Sequence, residues 1–137
     1  MRENETHAKL LITRFDCSHQ DIYEIIGIPA SRIWHKGDAI STSIRRHKNN
    51  GYVISGGLPQ NATLEEWIDN VLNLIKPYKD NFKKLPNGVY IELSCCVYIY
   101  GDEPYIGLSK ENIKLLAEIN AAYDLDYYIL QELEDDE

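Results

Sequence analysis

The stretch IGIPASRIWHKGD (residues 26–38), with the extended GYVIS (residues 51–55) that follows it, is the most distinctive part of the chain. A Gly-Ile-Pro sequence ends a preceding helix and leads into an extended segment. Trp34 and Lys36 are two residues apart, so in a strand they would share one face, whereas His35 would point to the other. This arrangement predicts either a packed edge of a sheet or a small polar pocket.

Two interpretations of this run follow from its side chains. In the first, Trp34, Lys36 and Asp38 line a ligand pocket, where the Lys36 ammonium binds an anion and the Asp38 carboxylate accepts hydrogen bonds. In the second, Trp34 packs between the sheet and a helix, Gly37 forms a turn, and Asp38 accepts hydrogen bonds from nearby backbone amides. Glycine and aspartate are common in turns, which favours the second interpretation.

Three helices are predicted from capping residues and hydrophobic spacing. Ser18 is followed three residues later by Asp21, which fits the capping box that opens a helix. Thr63 and Glu66 repeat this pattern before the longest helix, whose apolar residues recur with a helical period. Ser109 is a suitable N-cap for the third helix.

Segments rich in strand-forming residues alternate with these helices. The predicted strands are residues 8–15, 32–36 with an extension toward 44, 52–55, 88–100, a short segment at 105–108, and 124–130. This order predicts a single α+β domain over residues 1–137, a two-layer sandwich with an antiparallel or mixed sheet and helices packed mainly on one face. Residues from about 130 to 137 are expected to form a disordered acidic tail.

Charge is distributed unevenly along the chain. The sequence has 14 Lys and Arg residues against 22 Asp and Glu residues, for a formal net charge of −8. Residues 31–48 contain five basic residues and one acidic residue, whereas residues 124–137 contain seven acidic residues and no basic ones. The net negative charge opposes nucleic-acid binding, because phosphate contacts would have to overcome repulsion by the whole chain. It favours a basic protein partner.

Cysteine use and hydropathy indicate a cytoplasmic protein without a membrane segment. The amino terminus lacks the apolar region of a secretory signal, and no later stretch approaches the ~18 consecutive apolar residues that a bilayer-spanning helix needs. Three cysteines cannot all pair within one molecule, which suits a reducing compartment. Cys17, His19 and the adjacent Cys95 and Cys96 do not have the spacing of a zinc site. No metal or cofactor is therefore expected.

The residues quoted at the start, together with the helix opening LEEWI (residues 64–68), resemble the bacterial domain of unknown function, family 4279 (DUF4279). The carboxyl-terminal pattern agrees, since Leu108-Ser109 opens a helix that leads into LDYY (residues 125–128). The resemblance covers most of the chain. It implies the fold and a bacterial or phage origin, and it carries over no catalytic residues. Tyr52 departs from the family pattern, in which a Trp is expected.

The sequence contains no complete catalytic constellation, so we expect a non-enzymatic binding protein. Acidity and tyrosines concentrated near the last strand suggest an immunity or antitoxin-like inhibitor that neutralises a basic toxin by charge complementarity. Its expected contact residues are Asp126, Tyr128, Glu132, Glu134, Asp135 and Asp136. A purely solubilising tail and ordinary packing of the tyrosines are the simpler alternatives.

Two further functions stay open at this point. One is a small-molecule or nucleotide-sensing domain, or a weak enzyme, with a pocket near Trp34, Lys36 and Asp38. The other is a structural component of a larger assembly, which would carry a self-complementary apolar patch.

Overall fold

A five-stranded mixed sheet is the centre of the structure, a computed structural model that describes residues 2–130. Its strands in chain order are β1 (Glu5–Thr13), β2 (Arg32–Trp34), β3 (Gly51–Ile54), β4 (Tyr90–Ile99) and β5 (Ala122–Ile129). In space their order is β2-β3-β1-β4-β5, and all neighbours are antiparallel except β4 and β5, which are parallel. This sheet, with its helices, confirms the predicted α+β class.

The helices begin where the capping residues predict. They are α1 (His19–Ile26), α2 (Leu64–Ile75), which continues into a 3-10 helix (Lys76–Lys84), and α3 (Lys110–Glu118). Ser18 and Thr63 each form a complete capping box, and Ser109 accepts a hydrogen bond from the third residue of α3. Gly27 ends α1 with a φ of 81°, a left-handed conformation that glycine adopts without a steric penalty.

One face of the sheet packs against the helices and forms the core. Leu10 and Leu93 lie opposite each other in β1 and β4 and are fully buried, and the helices add residues such as Ile22 and Ile68 to the same cluster. Tyr52 on β3 is also buried, and its hydroxyl donates a hydrogen bond to the carbonyl of Ile28. The tyrosine that departs from the family pattern is therefore a core residue.

The first two strand predictions were wrong at their carboxyl-terminal ends. The first strand stops at Thr13, because Arg14 takes a left-handed φ of 61°. The second stops at Trp34 and does not continue toward residue 44, because Gly37, with a φ of 92°, turns the chain. The only pairing found beyond it within residues 35–50 is one bridge between Ala39 and Arg46. Trp34 and Lys36 consequently do not share a strand face.

The carboxyl-terminal region also differs from the prediction. Residues 105–108 are part of the loop between β4 and α3 and do not form a strand. The closing strand begins at Ala122, two residues earlier than predicted. Of the predicted acidic tail, only Leu130 belongs to the described part of the chain, and residues 131–137 lie outside it.

Candidate functional site

The sheet face opposite the helices is the main candidate for a functional surface, and we call it the open face. Because side chains alternate between the two faces of a strand, the residues that do not enter the core belong to it. At its β1-β4-β5 side these are Glu5, His7 and Lys9 from β1, Glu92, Ser94, Cys96 and Tyr98 from β4, and Asp124, Asp126 and Tyr128 from β5. All of these side chains are exposed or half-buried.

Negative charge concentrates on the β4-β5 half of the open face. Glu92, Asp124 and Asp126 are its charged residues, and neither strand contains Lys or Arg. Cations occur at its margins: the guanidinium of Arg2 lies 4.0 Å from the centre of the Tyr100 ring, and that of Arg14 lies 5.1 Å from the centre of the Tyr90 ring. The centre of this half is therefore anionic.

Two tyrosines stack across β4 and β5, and Asp126 is the nearest of these carboxylates along the strands. The ring centroids of Tyr98 and Tyr128 are 5.4 Å apart and their planes differ by 19°. The neighbouring Cys96 side chain raises the pKa of the Tyr98 hydroxyl. Tyr128 remains 48% exposed, so the stack offers one broad aromatic surface to solvent.

A row of three reactive residue types crosses the open face next to this stack. His7 lies opposite Cys96 in the β1-β4 pair, and Cys96 lies beside Asp126 in the β4-β5 pair. A cavity of about 460 Å³ is lined by these residues and also by Lys9 and Trp67. In a catalytic triad the imidazole lies between the nucleophile and the acid, whereas here the thiol has the middle position. The row therefore offers polar contacts and does not form a triad.

The sequence predicted two residues of this surface and missed the rest. Asp126 and Tyr128 are both on the open face, side by side with Cys96 and Tyr98 of β4. His7 was missed because only the pairing of β1 with β4 brings it to this place, and no local pattern of the sequence reveals that pairing. The other predicted contact residues, Glu132, Glu134, Asp135 and Asp136, lie outside the described residues.

Trp34 packs differently from the expectation that it would lie between the sheet and a helix. Its ring stacks on His47, with centroids 4.4 Å apart and planes 15° apart, and its indole N–H donates to the carbonyl of Asn49 at 3.1 Å. Its register partner is Gly51, where a Cβ would come within 2.0 Å of the indole. Since Gly51 alternates with the core residue Tyr52, Trp34 lies on the face away from the helices.

The turn after Trp34 matches the second of the two interpretations. The Asp38 carboxylate accepts a hydrogen bond from the backbone amide of His35 at 2.7 Å, and Gly37 forms the turn with positive φ. The backbone amide of Lys36 donates to the side-chain oxygen of Asn50 at 2.8 Å, while the Lys36 side chain is exposed. The polar atoms of Trp34 and Asp38 are thus engaged in local structure.

The part of the chain that the structure describes contains neither a metal-binding group of side chains nor a membrane-spanning helix. Among residues 2–130, no group of three or more His, Cys, Asp or Glu side chains could hold a metal ion. Within the same range, no helix is both long and apolar enough to cross a bilayer. All three cysteines are free thiols, and burial raises the pKa of Cys95 to about 12.

Comparison with known proteins gives one match. A family model described as "Domain of unknown function (DUF4279)" matches residues 4–130, which confirms the resemblance noted from residues 26–38 and 51–55. No curated protein and no solved structure matches the chain.

Proposed function

This chain belongs to the DUF4279 family, and we propose that it is a non-enzymatic binding protein that engages a basic protein partner through the β4-β5 half of its open face. The observation that supports this most is that carboxylates and two stacked tyrosines occur together on this surface. Asp126 is the same-face neighbour of a partly exposed Tyr98-Tyr128 stack, and Asp124 and Glu92 lie farther along the same face, in two strands without a cationic side chain.

The carboxylates would select the partner and speed its approach. Complementary charge raises association rates and suppresses binding to proteins of the same sign. The whole chain reinforces this effect, because its formal net charge is −8. A basic protein would therefore be attracted over the long range and then oriented by the local carboxylates.

The tyrosine pair would provide the contact area. Tyrosine is enriched in protein interfaces, since its ring buries apolar surface at low entropic cost while its hydroxyl keeps a hydrogen bond. Tyr98 is held in place by Tyr128, so little side-chain freedom remains to be lost when a partner binds. Such a pre-ordered aromatic surface is typical of the centre of a binding site.

The biological role that fits this surface is that of an immunity or antitoxin-like inhibitor. Toxins that act on nucleic acids are cationic around their active sites, because phosphate binding requires Lys and Arg. An acidic protein that covers such a site blocks the substrate by competing for the same charges. The free thiols Cys17, Cys95 and Cys96 suit a reducing bacterial cytoplasm, where an inhibitor of this kind would act.

Co-expression tests this proposal. Each protein encoded beside the gene would be produced alone and together with this chain, and cell survival would be measured. We expect one basic neighbour to be toxic alone and harmless in the presence of the wild-type chain. The variant D124K/D126K should fail to protect.

A matched control distinguishes the effect of charge on the open face from the effect of the net charge of the protein. Glu24 and Asp80 are exposed acids in α1 and the 3-10 helix, on the helical side of the molecule, so E24K/D80K changes the net charge by the same amount. This control should still protect. Protection that survives D124K/D126K, or a complete lack of toxic neighbours, would contradict the proposal.

A second candidate function is a small-molecule or nucleotide-sensing site, or a weakly catalytic one, near Trp34, Lys36 and Asp38. It is favoured by one observation: Trp34 stacks on His47, the Arg32 guanidinium lies 5.5 Å from the Trp34 ring centroid, and Lys36 is exposed nearby. Aromatic and cationic groups in this arrangement suit a planar anion. Quenching of Trp34 fluorescence by a nucleotide, absent in Lys36→Ala, would support this function over the first.

A further inference from the structure

We propose that the outer edge of β5 accepts an extended segment of the partner as a sixth strand of the sheet. This inference rests on the proposed function and specifies how the partner docks. β5 is the last strand in the sheet order, and among residues 2–130 no strand pairs with its outer edge. A sheet edge of this kind is a template for another strand.

The backbone of β5 shows which groups are available on that edge. The amide of Leu130 donates to the carbonyl of Ile99 at 2.8 Å, so Leu130 is directed toward β4. Backbone groups of successive strand residues point to opposite sides, which places the amides and carbonyls of the odd-numbered residues on the outer edge. These residues are Tyr123, Leu125, Tyr127 and Ile129. The edge therefore offers a regular row of hydrogen-bonding groups.

The edge lacks three features that commonly prevent pairing, namely Lys, Pro and a bulge. Sheets protect their edges with Lys, Pro, bulges or a covering element. The sequence of β5 is AYDLDYYI, which contains neither Lys nor Pro, and its register with β4 is continuous over all eight residues. On the helical side, Tyr127 and Ile129 are 54% and 63% exposed. An added strand would cover this apolar surface.

The side chains of β5 define the chemistry of the added strand. Asp124 and Asp126 point to the open face, so the residues of the added strand that lie beside them should be Lys or Arg. Tyr127 and Ile129 point to the helical side, so the residues beside these two should be apolar. The segment that fits is an extended stretch in which basic and apolar residues alternate.

Amide hydrogen exchange with a peptide probe tests the inference. The probe is a short synthetic peptide in which lysine and valine alternate. In the free protein, the amides of Tyr127 and Ile129 should exchange quickly and those of Asp126 and Tyr128 slowly. Saturating peptide should slow exchange at Tyr127 and Ile129 by at least about tenfold, as expected for amides that become hydrogen-bonded.

Two N-methylated peptides separate strand addition from side-chain attraction. One carries methyl groups on its valine amides and the other on its lysine amides. Antiparallel addition requires the valine amides and parallel addition the lysine amides, so one of the two peptides should lose binding. The variant Tyr127→Pro removes an outward amide without removing a bond to β4 and should weaken binding, whereas Tyr127→Ala should not abolish it.

The outcomes distinguish this inference from the proposed function. Equal binding of all three peptides, or binding without protection of Tyr127 and Ile129, would overturn strand addition. So would a complete lack of peptide binding. Protection of these amides in the free protein that increases with its concentration would show that a second copy occupies the edge, which also overturns it. Toxin neutralisation that depends on Asp124 and Asp126 would stand in each case.

Discussion

Tyr128 stacks on Tyr98 across the parallel pair of β4 and β5, with ring centroids 5.4 Å apart and planes inclined by 19°. The two residues are direct register partners, so their contact is built into the pairing of the strands. Aromatic pairs in this geometry stabilise each other beyond the area they bury. The stack therefore links the candidate binding surface to the stability of the sheet.

A double-mutant cycle should detect that link. The variants Tyr98→Ala, Tyr128→Ala and the double variant would be unfolded with urea, and we expect an interaction free energy of about 0.5–1.5 kcal/mol between the two rings. The pair Tyr98→Ala and Tyr23→Ala is a suitable control, because Tyr23 belongs to α1 on the other side of the sheet. Additive effects in both pairs would contradict the role of the stack.

Gly51 should be intolerant of a side chain because the indole of Trp34 lies against it. A Cβ at this position would come within 2.0 Å of the ring, so Gly51→Ala should lower the free energy of unfolding by about 1–3 kcal/mol. Gly57→Ala is the control, since a Cβ there meets nothing within 4 Å. In a Trp34→Ala background the cost of Gly51→Ala should nearly vanish, and an unchanged cost would refute the contact.

Alkaline pH should destabilise the fold through its buried thiol and phenols. Burial raises the pKa of Cys95 from 9.0, and the pKa values of Tyr52 and Tyr123 from 10.0, in each case to about 12. The unfolded chain therefore loses these protons at lower pH than the folded chain does. The stabilisation is complete below about pH 9 and is lost as the pH rises toward about 12.

Urea unfolding at a series of pH values checks this expectation. The denaturation midpoint of the wild type should begin to fall near pH 9, where the unfolded-state thiol of Cys95 ionises. In Cys95→Ala the fall should begin about one pH unit higher, where Tyr52 and Tyr123 ionise in the unfolded chain. A midpoint that stays constant to about pH 11 in the wild type would show that these groups are not buried as described.

The hydroxyl of Tyr52 should contribute to stability through its bond to Ile28. Tyr52→Phe leaves the Ile28 carbonyl without this donor in a buried place, which should cost about 1–3 kcal/mol. Tyr127→Phe removes a hydroxyl from an exposed side chain and should change the stability by less than about 0.5 kcal/mol. Equal effects of the two substitutions would argue against the buried hydrogen bond.

Much of the fold was predictable because its signals are local. The capping boxes at Ser18 and Thr63 depend on residues three apart, and the apolar period of α2 depends on residues within one or two turns. The end of β2 was not predictable in this way. It depends on Gly37 and on the hydrogen bond from His35 to Asp38, whereas β-forming residues continue in the sequence toward residue 44.

The candidate site was predictable only in part, because a sheet surface is assembled from distant segments. Asp126 and Tyr128 stood out by their place in an acidic, tyrosine-rich stretch of the sequence. Cys96 and Tyr98 join them through the parallel pairing of β4 and β5, and His7 joins through β1, more than 80 residues away along the chain. Strand order follows from the packing of the whole domain, which no short motif encodes.

The measurement that tests the central proposal most directly is the affinity for the proposed basic protein partner, determined by calorimetry. We expect D124K/D126K to raise the Kd by roughly 100-fold, because two close charge pairs become repulsive. The control E24K/D80K should raise it by less than about threefold, since its charges lie on the helical side. Equal Kd values for the wild type and D124K/D126K would contradict binding through the open face.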